Sequence, residues 1–415
     1  MNNASKGASS FFSSMTSTVA SAASGTFMEE EVRQLYSRLP TPISYPFYHR
    51  PTISLLPFVS DKYLSLLLPI GVYWIASLYF YALDVAQIPF FEKYRLHEPQ
   101  EITKRNRVSA KRVVIMVLVQ QFFQTLVGLL VLEGEEVVRM QVFQNHEVNV
   151  SAIGVKVAKL VTGVVGLSRG VQILNLMGAN FANWLYWWGV PSFQFLWAFF
   201  VMDAWQYVLH RSFHESRFLY KHFHSHHHRL YVPYAFGALY NHPLEGLLLD
   251  SAGGALSHAC ALMTVRQGIL LFAFSTLKTV ADHGGYAFPV WLDPLHLIFP
   301  NTSEYHDVHH QMQGLRYNYS QPFFIHFDVI FGTRMSAEKF KKMREVNKKF
   351  RTAKGDDAIS KLSSISEKDT STMQFRNSSR EDENPENIVL QQGANVDPTV
   401  TLTAESYRSK AGVST

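Results

Sequence analysis

HRSFHESRFLYKHFHSHHH, running from His210 to His228, decides how this chain is read. Five of the seven residues from 222 to 228 are histidine. The crowding continues through His242 and His283 and closes on EYHDVHH at His310. Of 18 histidines in the chain, 14 fall between residues 210 and 310, about a quarter of its length. Neutral imidazole is the commonest protein ligand for metals, so several rings converging on metal is the natural reading of such a stretch.

The spacing supports it. His210 and His214 stand four apart, which places both on one face of a helix. His224, His227 and His228 repeat the offsets of His306, His309 and His310. In each HxxHH unit the first and fourth residues are expected to pair across one helical turn, with the fifth widening the set. Together with His242 and His283 these ten rings exceed the three or four protein ligands of one zinc site, and two neighbouring metals fit the count better. Spacing does not say which metal. His222 and His226 are surplus to the pattern, while His49, His97, His146, His258, His296 and His326 read as structural or solvated. Metal-bound imidazoles usually need a partner for the second ring nitrogen, and Asp203, on the face leading to His210, is a candidate for that task. Tyr207, Asp282 and Asp307 are assigned to the same supporting role.

Outward from the clusters, composition places the chain in a membrane. Hydrophobic residues make up 47%, aromatics 14% and charged residues only 17% of the 415. Leu64 to Leu83 is a run of 20 residues without a charge, enough to cross about 30 Å of hydrocarbon as a helix. Val113 to Leu132 is a second, and Tyr186 to Leu209, ending near Asp203, a third. Leu244 to Thr264 and Gln267 to Ala281 form a hairpin around Arg266, made shallow or re-entrant by Asp250, Arg266 and Lys278. Residues 151–182 read as a helix lying on the surface. The expected fold is therefore all-α, a polytopic membrane protein with a histidine-rich site. The single cysteine, Cys260, excludes a disulfide framework, and a net charge of +5 is too small to suggest a nucleic-acid partner.

Charge orients the array. Lys93, Arg95, Lys104, Arg105, Arg107, Lys111 and Arg112 lie between the first two spans, whereas 133–150 is acidic, so the first loop is expected on the cytosolic side. A third span then returns the chain to the cytosol at His210, and a hairpin keeps the later clusters on the same face. Three regions follow: a polar N-terminal segment, 1–43, with a short amphipathic helix from Met28 to Leu39; a membrane-embedded catalytic region, 44–335; and a tail, 336–415, basic at first and then disordered.

The three boxes resemble those of the membrane fatty acid hydroxylase superfamily. More narrowly, YRLHEPQEITKRNRVS (Tyr94 to Ser109), YKHFHSHHHRLYVPYAFGALYNHPLEG (Tyr220 to Gly246) and DVHHQMQGLRYNYSQPFF (Asp307 to Phe324) resemble the sphinganine C4-hydroxylases of fungi and plants. The resemblance implies a di-iron site held by His210, His214, His224, His227, His228, His242, His283, His306, His309 and His310. It implies use of O2, with electrons from NAD(P)H through cytochrome b5 and its reductase, and a multi-pass place in the endoplasmic reticulum membrane. The implied reaction is hydroxylation at C4 of a sphingoid base or its ceramide. Arg229, Tyr231, Tyr234, Asn241, Arg316 and Asn318 are then candidates for the substrate's polar head. Two other classes stay open on the residues alone: a sterol methyl oxidase or desaturase of the same architecture, and a non-catalytic metal-binding membrane protein or metal transporter.

Overall fold

A computed structural model describes residues 43–354 apart from Glu133. The helix expected over Met28 to Leu39 and the polar tail beyond residue 354 lie outside the described residues. Among the described residues the architecture is all helical, with two isolated bridges, Leu56 to Val59 and Arg95 to Tyr286, as the only β pairing. The long helices are α1 (Asp61–Ala86), α2 (Ala110–Val131), α3 (His146–Val165), α4 (Leu167–Met177), α5 (Val190–Glu215), α6 (Val265–Asp282), α7 (Ser303–His310) and α8 (Ala337–Lys354).

The first two expected spans form α1 and α2, each a few residues longer than its uncharged run. Their surfaces stay apolar, with Ile75 72% and Leu130 80% exposed, as suits helices whose neighbours are lipid chains. Gln87 closes α1 in the left-handed region, φ 46°, and its N–H reaches back to the Leu83 carbonyl. The third span differs from expectation. Residues 151–182, expected to form a helix lying on the surface, are divided between α4 and a continuous 20-residue helix, α3, that begins at His146 and is long and apolar enough to cross a membrane. The stretch from Tyr186 is a π turn, Leu185–Gly189, running into α5, which is not among the three helices that meet that description. Gln194, Asp203 and Gln206 dilute its apolar run.

The chain divides into two compact units. One takes Met1–Ser65, Leu132–Ala198 and His258–Gly268. Within it the Asn145 side chain caps α3 through the Val148 N–H at 3.1 Å. Gly166, at φ 82°, turns the chain into α4, and a Cβ on Gly170 would lie 2.7 Å from the Thr162 side chain, so α4 folds back closely only because that position is bare. His49 and His146 pack with Tyr45 and Trp187 in an aromatic knot. Arg266 ties the Asp61 carboxylate, 2.8 Å, to the Arg50 carbonyl, 2.6 Å.

The other unit takes Leu66–Val131, Phe199–Ser257 and Ile269–Thr415 and carries every histidine of the three boxes. Its core gathers Tyr73, Phe80, Val113, Leu230, Tyr240 and Tyr286. A second aromatic group joins Phe199, Phe274, Phe299 and Phe323, with Phe199 and Phe323 centroids 4.2 Å apart. Polar residues of α2 face inward: the amides of Gln120 and Gln124 reach the Asp250 carboxylate at 3.1 and 3.4 Å. In hydrocarbon such groups must find protein partners, and here they tie α2 to the π turn Leu247–Ala252.

Candidate metal centre

α5 delivers His210 and His214 on one face, as the four-residue spacing requires. After Glu215 the chain turns through a short helix, Arg217–His222, capped by Ser216, into a 3-10 helix, His224–Arg229. α7 carries the last box, opened by Thr302, whose hydroxyl accepts the Tyr305 N–H. His283 follows the last residue of α6.

Nine rings converge, in two groups. His210, His214, His224, His228 and His309 form one; His227, His283, His306 and His310 form the other. The pairing inside each HxxHH unit departs from expectation. The first and fifth residues share a group, while the fourth turns to the neighbouring one. Thus His224 and His228 join the five-ring group and His227 the four-ring group; on α7, His306 and His310 join the four and His309 the five. Residues adjacent in a helix diverge by roughly 100°, so His227 and His228, or His309 and His310, cannot face one point. The two groups touch, with the rings of His228 and His310 centred 4.9 Å apart.

The donor geometry fits metal. In the five-ring group the Nε2 atoms of His210, His214, His224 and His228 approach at 2.8 to 3.1 Å. Nδ1–H of His210 donates to the Tyr319 carbonyl, 2.8 Å, and that of His309 to the Tyr317 carbonyl, 2.7 Å. In the other group His227, His283 and His310 donate Nδ1–H to the carbonyls of Tyr240, Thr279 and Leu230 at 3.2, 2.8 and 2.8 Å. A neutral ring with Nδ1–H committed in this way presents a lone pair at Nε2. Lone pairs facing each other across 3 Å repel unless a cation lies between them. Adjacent donors on an octahedral metal with bonds of about 2.1 Å stand about 3.0 Å apart, against about 3.4 Å on a tetrahedral one, so the five-ring group suits a higher coordination number than structural zinc. His309 Nε2 is buried without any hydrogen-bond partner. Burial pushes the pKa of His224 and of His227 down to about 3, in His227 with help from the nearby His224, which keeps both neutral and ready to ligate.

The supporting groups differ from those expected. Asp203 holds no ring nitrogen; its buried carboxylate accepts the N–H groups of Phe323 and Phe324 at 3.0 and 2.6 Å. Tyr207 bonds the Thr333 hydroxyl and accepts from Arg211, and Asp282 takes the ammonium of Lys278. Asp307 faces His97 at 2.8 Å and the Gln311 amide at 3.2 Å. Asp203 and the buried Asp328, which accepts from Tyr319 N, Ser320 N, Tyr305 Oη and Thr333 Oγ1, instead fix the loop whose carbonyls at 317 and 319 orient His309 and His210. Glu245 is the carboxylate that touches one of the nine converging rings, bonded through Oε1 to His224 Nδ1. It is the only acidic residue between Glu215 and Asp250, a sequence signal that singles it out. His242 belongs to neither group; its Nδ1 accepts the Leu244 N–H at 3.3 Å as a helix cap.

Residues 195–333, which enclose all nine converging rings, match the family model Fatty acid hydroxylase. Sphingolipid C4-hydroxylase sur2 of Schizosaccharomyces pombe is 41% identical over 285 residues, 68% of this chain and 92% of that protein. The chain belongs to the fatty acid hydroxylase family. Sphinganine C4-monooxygenase 1 of Arabidopsis thaliana is 42% identical to this fatty acid hydroxylase over 277 residues, 67% of the chain and 89% of the relative. Very-long-chain aldehyde decarbonylase GL1-9 of Oryza sativa subsp. indica is 40% identical over 278 residues, 67% and 90% of the two chains. No solved structure matches it.

Beside the rings this fatty acid hydroxylase has a cavity of about 30 Å³, walled by His224, His227, His283 and His306 on the metal side. Opposite stand polar residues, among them Asn241, Glu245, Asp250 and Asp282. Of the six head-group candidates, Asn241 lines it. Asn318 is buried, at φ 57°, with its amide spent on the Tyr305 and Met335 backbones. Tyr234 packs in the core, Tyr231 lies under the Arg107 guanidinium at 5.1 Å, Arg316 is exposed and Arg229 half-buried.

Proposed function

We propose that this fatty acid hydroxylase is a sphinganine C4-hydroxylase, inserting one oxygen of O2 at C4 of a sphingoid base or dihydroceramide to give phytosphingosine or phytoceramide. The observation that carries the reading is the double histidine group, in a chain whose relatives named for that reaction match over most of their length. Two irons held by His210, His214, His224, His228 and His309 and by His227, His283, His306 and His310 would supply the oxidising power that no side chain has.

The protein's own part is positioning. Five backbone carbonyls and Glu245 fix six rings by their Nδ1–H groups, so the Nε2 donors stand in place before metal arrives. The four-ring group offers fewer donors and contributes three of its rings to the cavity wall, which makes the cavity the side on which O2 and substrate meet the site. Electrons come from NAD(P)H through cytochrome b5. α8 supplies a basic surface for that donor: Phe340 and Met343 anchor it on Val308 of α7, leaving Lys339, Lys341, Lys342 and Arg344 outward. The protein sits as a multi-pass chain in the endoplasmic reticulum membrane with the site on the cytosolic side.

Membranes bearing the protein, given labelled dioxygen, sphinganine and NAD(P)H, yield phytosphingosine with one labelled oxygen at C4. Label from water excludes the monooxygenase reaction. A C4 double bond in its place makes the protein a desaturase, and turnover of a sterol but no sphingoid base moves it to the sterol branch.

A further inference from the structure

The depth of the metal centre in the membrane can be read along α1. Its uncharged run ends at Asp84, which pairs with Arg95 at 2.6 Å and accepts the Tyr286 hydroxyl at 3.0 Å. Phe80 stands one helical turn before Asp84, about 6 Å of rise. Gly284, the residue after His283, lies so close to Phe80 that a Cβ there would come within 2.5 Å of the ring. The four-ring group is therefore reached about one turn inward from the first charge that ends the α1 run. C4 of a sphingoid base lies three bonds from C1, a few ångströms, so a substrate with its head among the lipid heads presents C4 near that level.

A separate observation shows what could hold the centre there. The loop 288–299 lies between His283 and α7 and is fastened at both ends. Phe288 packs on Phe80 and Phe91, and Phe299 packs on Phe199 and Phe323. Between these anchors Trp291, Leu297 and Ile298 turn outward, 65%, 73% and 61% exposed. The Trp291 ring meets Phe90, centroids 5.9 Å apart, and the Lys93 ammonium lies 4.6 Å from the Phe90 ring. Phe90 sits in the short helix Pro89–Glu92 just beyond α1, and the exposed Val85 and Ile88 carry the apolar surface of α1 on to it. Tryptophan and lysine beside phenylalanine mark a membrane–water boundary, because indole and ammonium keep one end wet while the rest is apolar.

Resting on the C4-hydroxylase reading, we propose that Phe90, Trp291, Leu297 and Ile298 form a lipid-immersed foot, seated in the headgroup and upper acyl layer at the end of α1, that fixes the metal centre at the depth of C4. The bilayer then takes part in choosing the carbon. Water holds the substrate's head at the surface, and the foot holds the centre just beneath it.

Replacing Cys260, the only cysteine, by serine leaves one site for an environment-sensitive nitrobenzoxadiazole label at Trp291→Cys. In lipid nanodiscs, nitroxides near the lipid head should quench the label at position 291 at least about twofold more than mid-chain nitroxides. Aqueous iodide should quench it at least about threefold less than a label at Lys342→Cys, on the outward face of α8. Equal iodide quenching at the two positions would put the loop in water, and quenching by neither agent would put it under a partner protein or a second copy; either result overturns the foot. Trp291→Glu combined with Leu297→Glu supplies a second readout. Sphinganine turnover should fall about tenfold or more in nanodiscs and stay within about twofold of wild type in detergent micelles, where no bilayer fixes depth. Equal loss in both media, or no loss in nanodiscs, overturns the depth role. Absence of any C4 product from the wild-type protein removes the reaction itself, a result on which the quenching does not depend.

Discussion

At the scale of single residues, His309 is the most exacting case. Its ring is fully buried, its Nδ1–H is committed to the Tyr317 carbonyl, and its Nε2 has no partner unless a metal supplies one. His309→Ala is expected to lower bound metal from two per chain toward one and to cut turnover at least about a hundredfold, with insertion into the membrane unchanged. Metal analysis of anaerobically purified protein checks it; two metals retained with full activity would remove His309 from the site. The candidate histidines could be listed from the sequence because imidazole crowding has few other causes. Their allotment could not, because His227 and His228 are neighbours in the chain and part company only through the direction in which a helix presents them. Glu245 was passed over for a related reason. Its tie to His224 spans 21 residues and two turns of irregular backbone, which no periodicity reports.

At the scale of elements, α8 is the sharpest test. Its buried side, Phe340 and Met343, packs on the helix that bears His306, His309 and His310, while Lys339, Lys341, Lys342 and Arg344 face out. Reversing these four charges to glutamate should lower NAD(P)H-driven turnover about tenfold or more, and leave turnover driven by a small chemical reductant within about twofold of wild type. Equal loss in both assays would mean that the helix supports the fold and not the donor. α1 and α2 were legible because an uncharged run of 20 residues has one common structural outcome. α3 admits two readings: Lys156 and Lys159 suggested a helix on the surface, and both fall within a continuous 20-residue helix that is also long and apolar enough to span. Long lysine stems that carry their charge toward a membrane interface make such sequences ambiguous by composition.

For the whole molecule, taking α3 as the third crossing in place of residues 186–209 would leave the side reached unchanged. We infer that, with 93–112 cytosolic and α1, α2 and α3 as the passes, the N-terminal segment would be luminal and the chain after α3 cytosolic. Protease protection in sealed microsomes should spare a tag at Ser10 and digest tags at Gly178 and Val400; a protected tag at Gly178 would return the third crossing to residues 186–209. Acid is expected to act on the whole fold as well. His224 and His227 have pKa values near 3 when folded, against about 6.5 when unfolded, so the metal-free protein keeps their contribution above 6.5 and loses it as pH falls toward 3. The loss is about 1.4 kcal/mol per ring for each unit below 6.5. Melting of metal-free protein in detergent should move to lower temperature between pH 7.5 and 5, and a rise on acidification would contradict the neutral, buried state of these rings.

The partners of the rings have a hereditary side. Five Nδ1–H groups rest on main-chain oxygens at Leu230, Tyr240, Thr279, Tyr317 and Tyr319, and a main-chain oxygen is encoded by every codon except stop. A substitution at those positions keeps the oxygen that steers the ring, and its cost falls on packing instead, since Leu230, Tyr240 and Tyr319 are fully buried. An inserted or deleted residue in 317–319 has no such shelter, because it shifts the oxygens themselves. His224 stands apart, since its steering group is the side chain of Glu245 and a single nucleotide change can remove it.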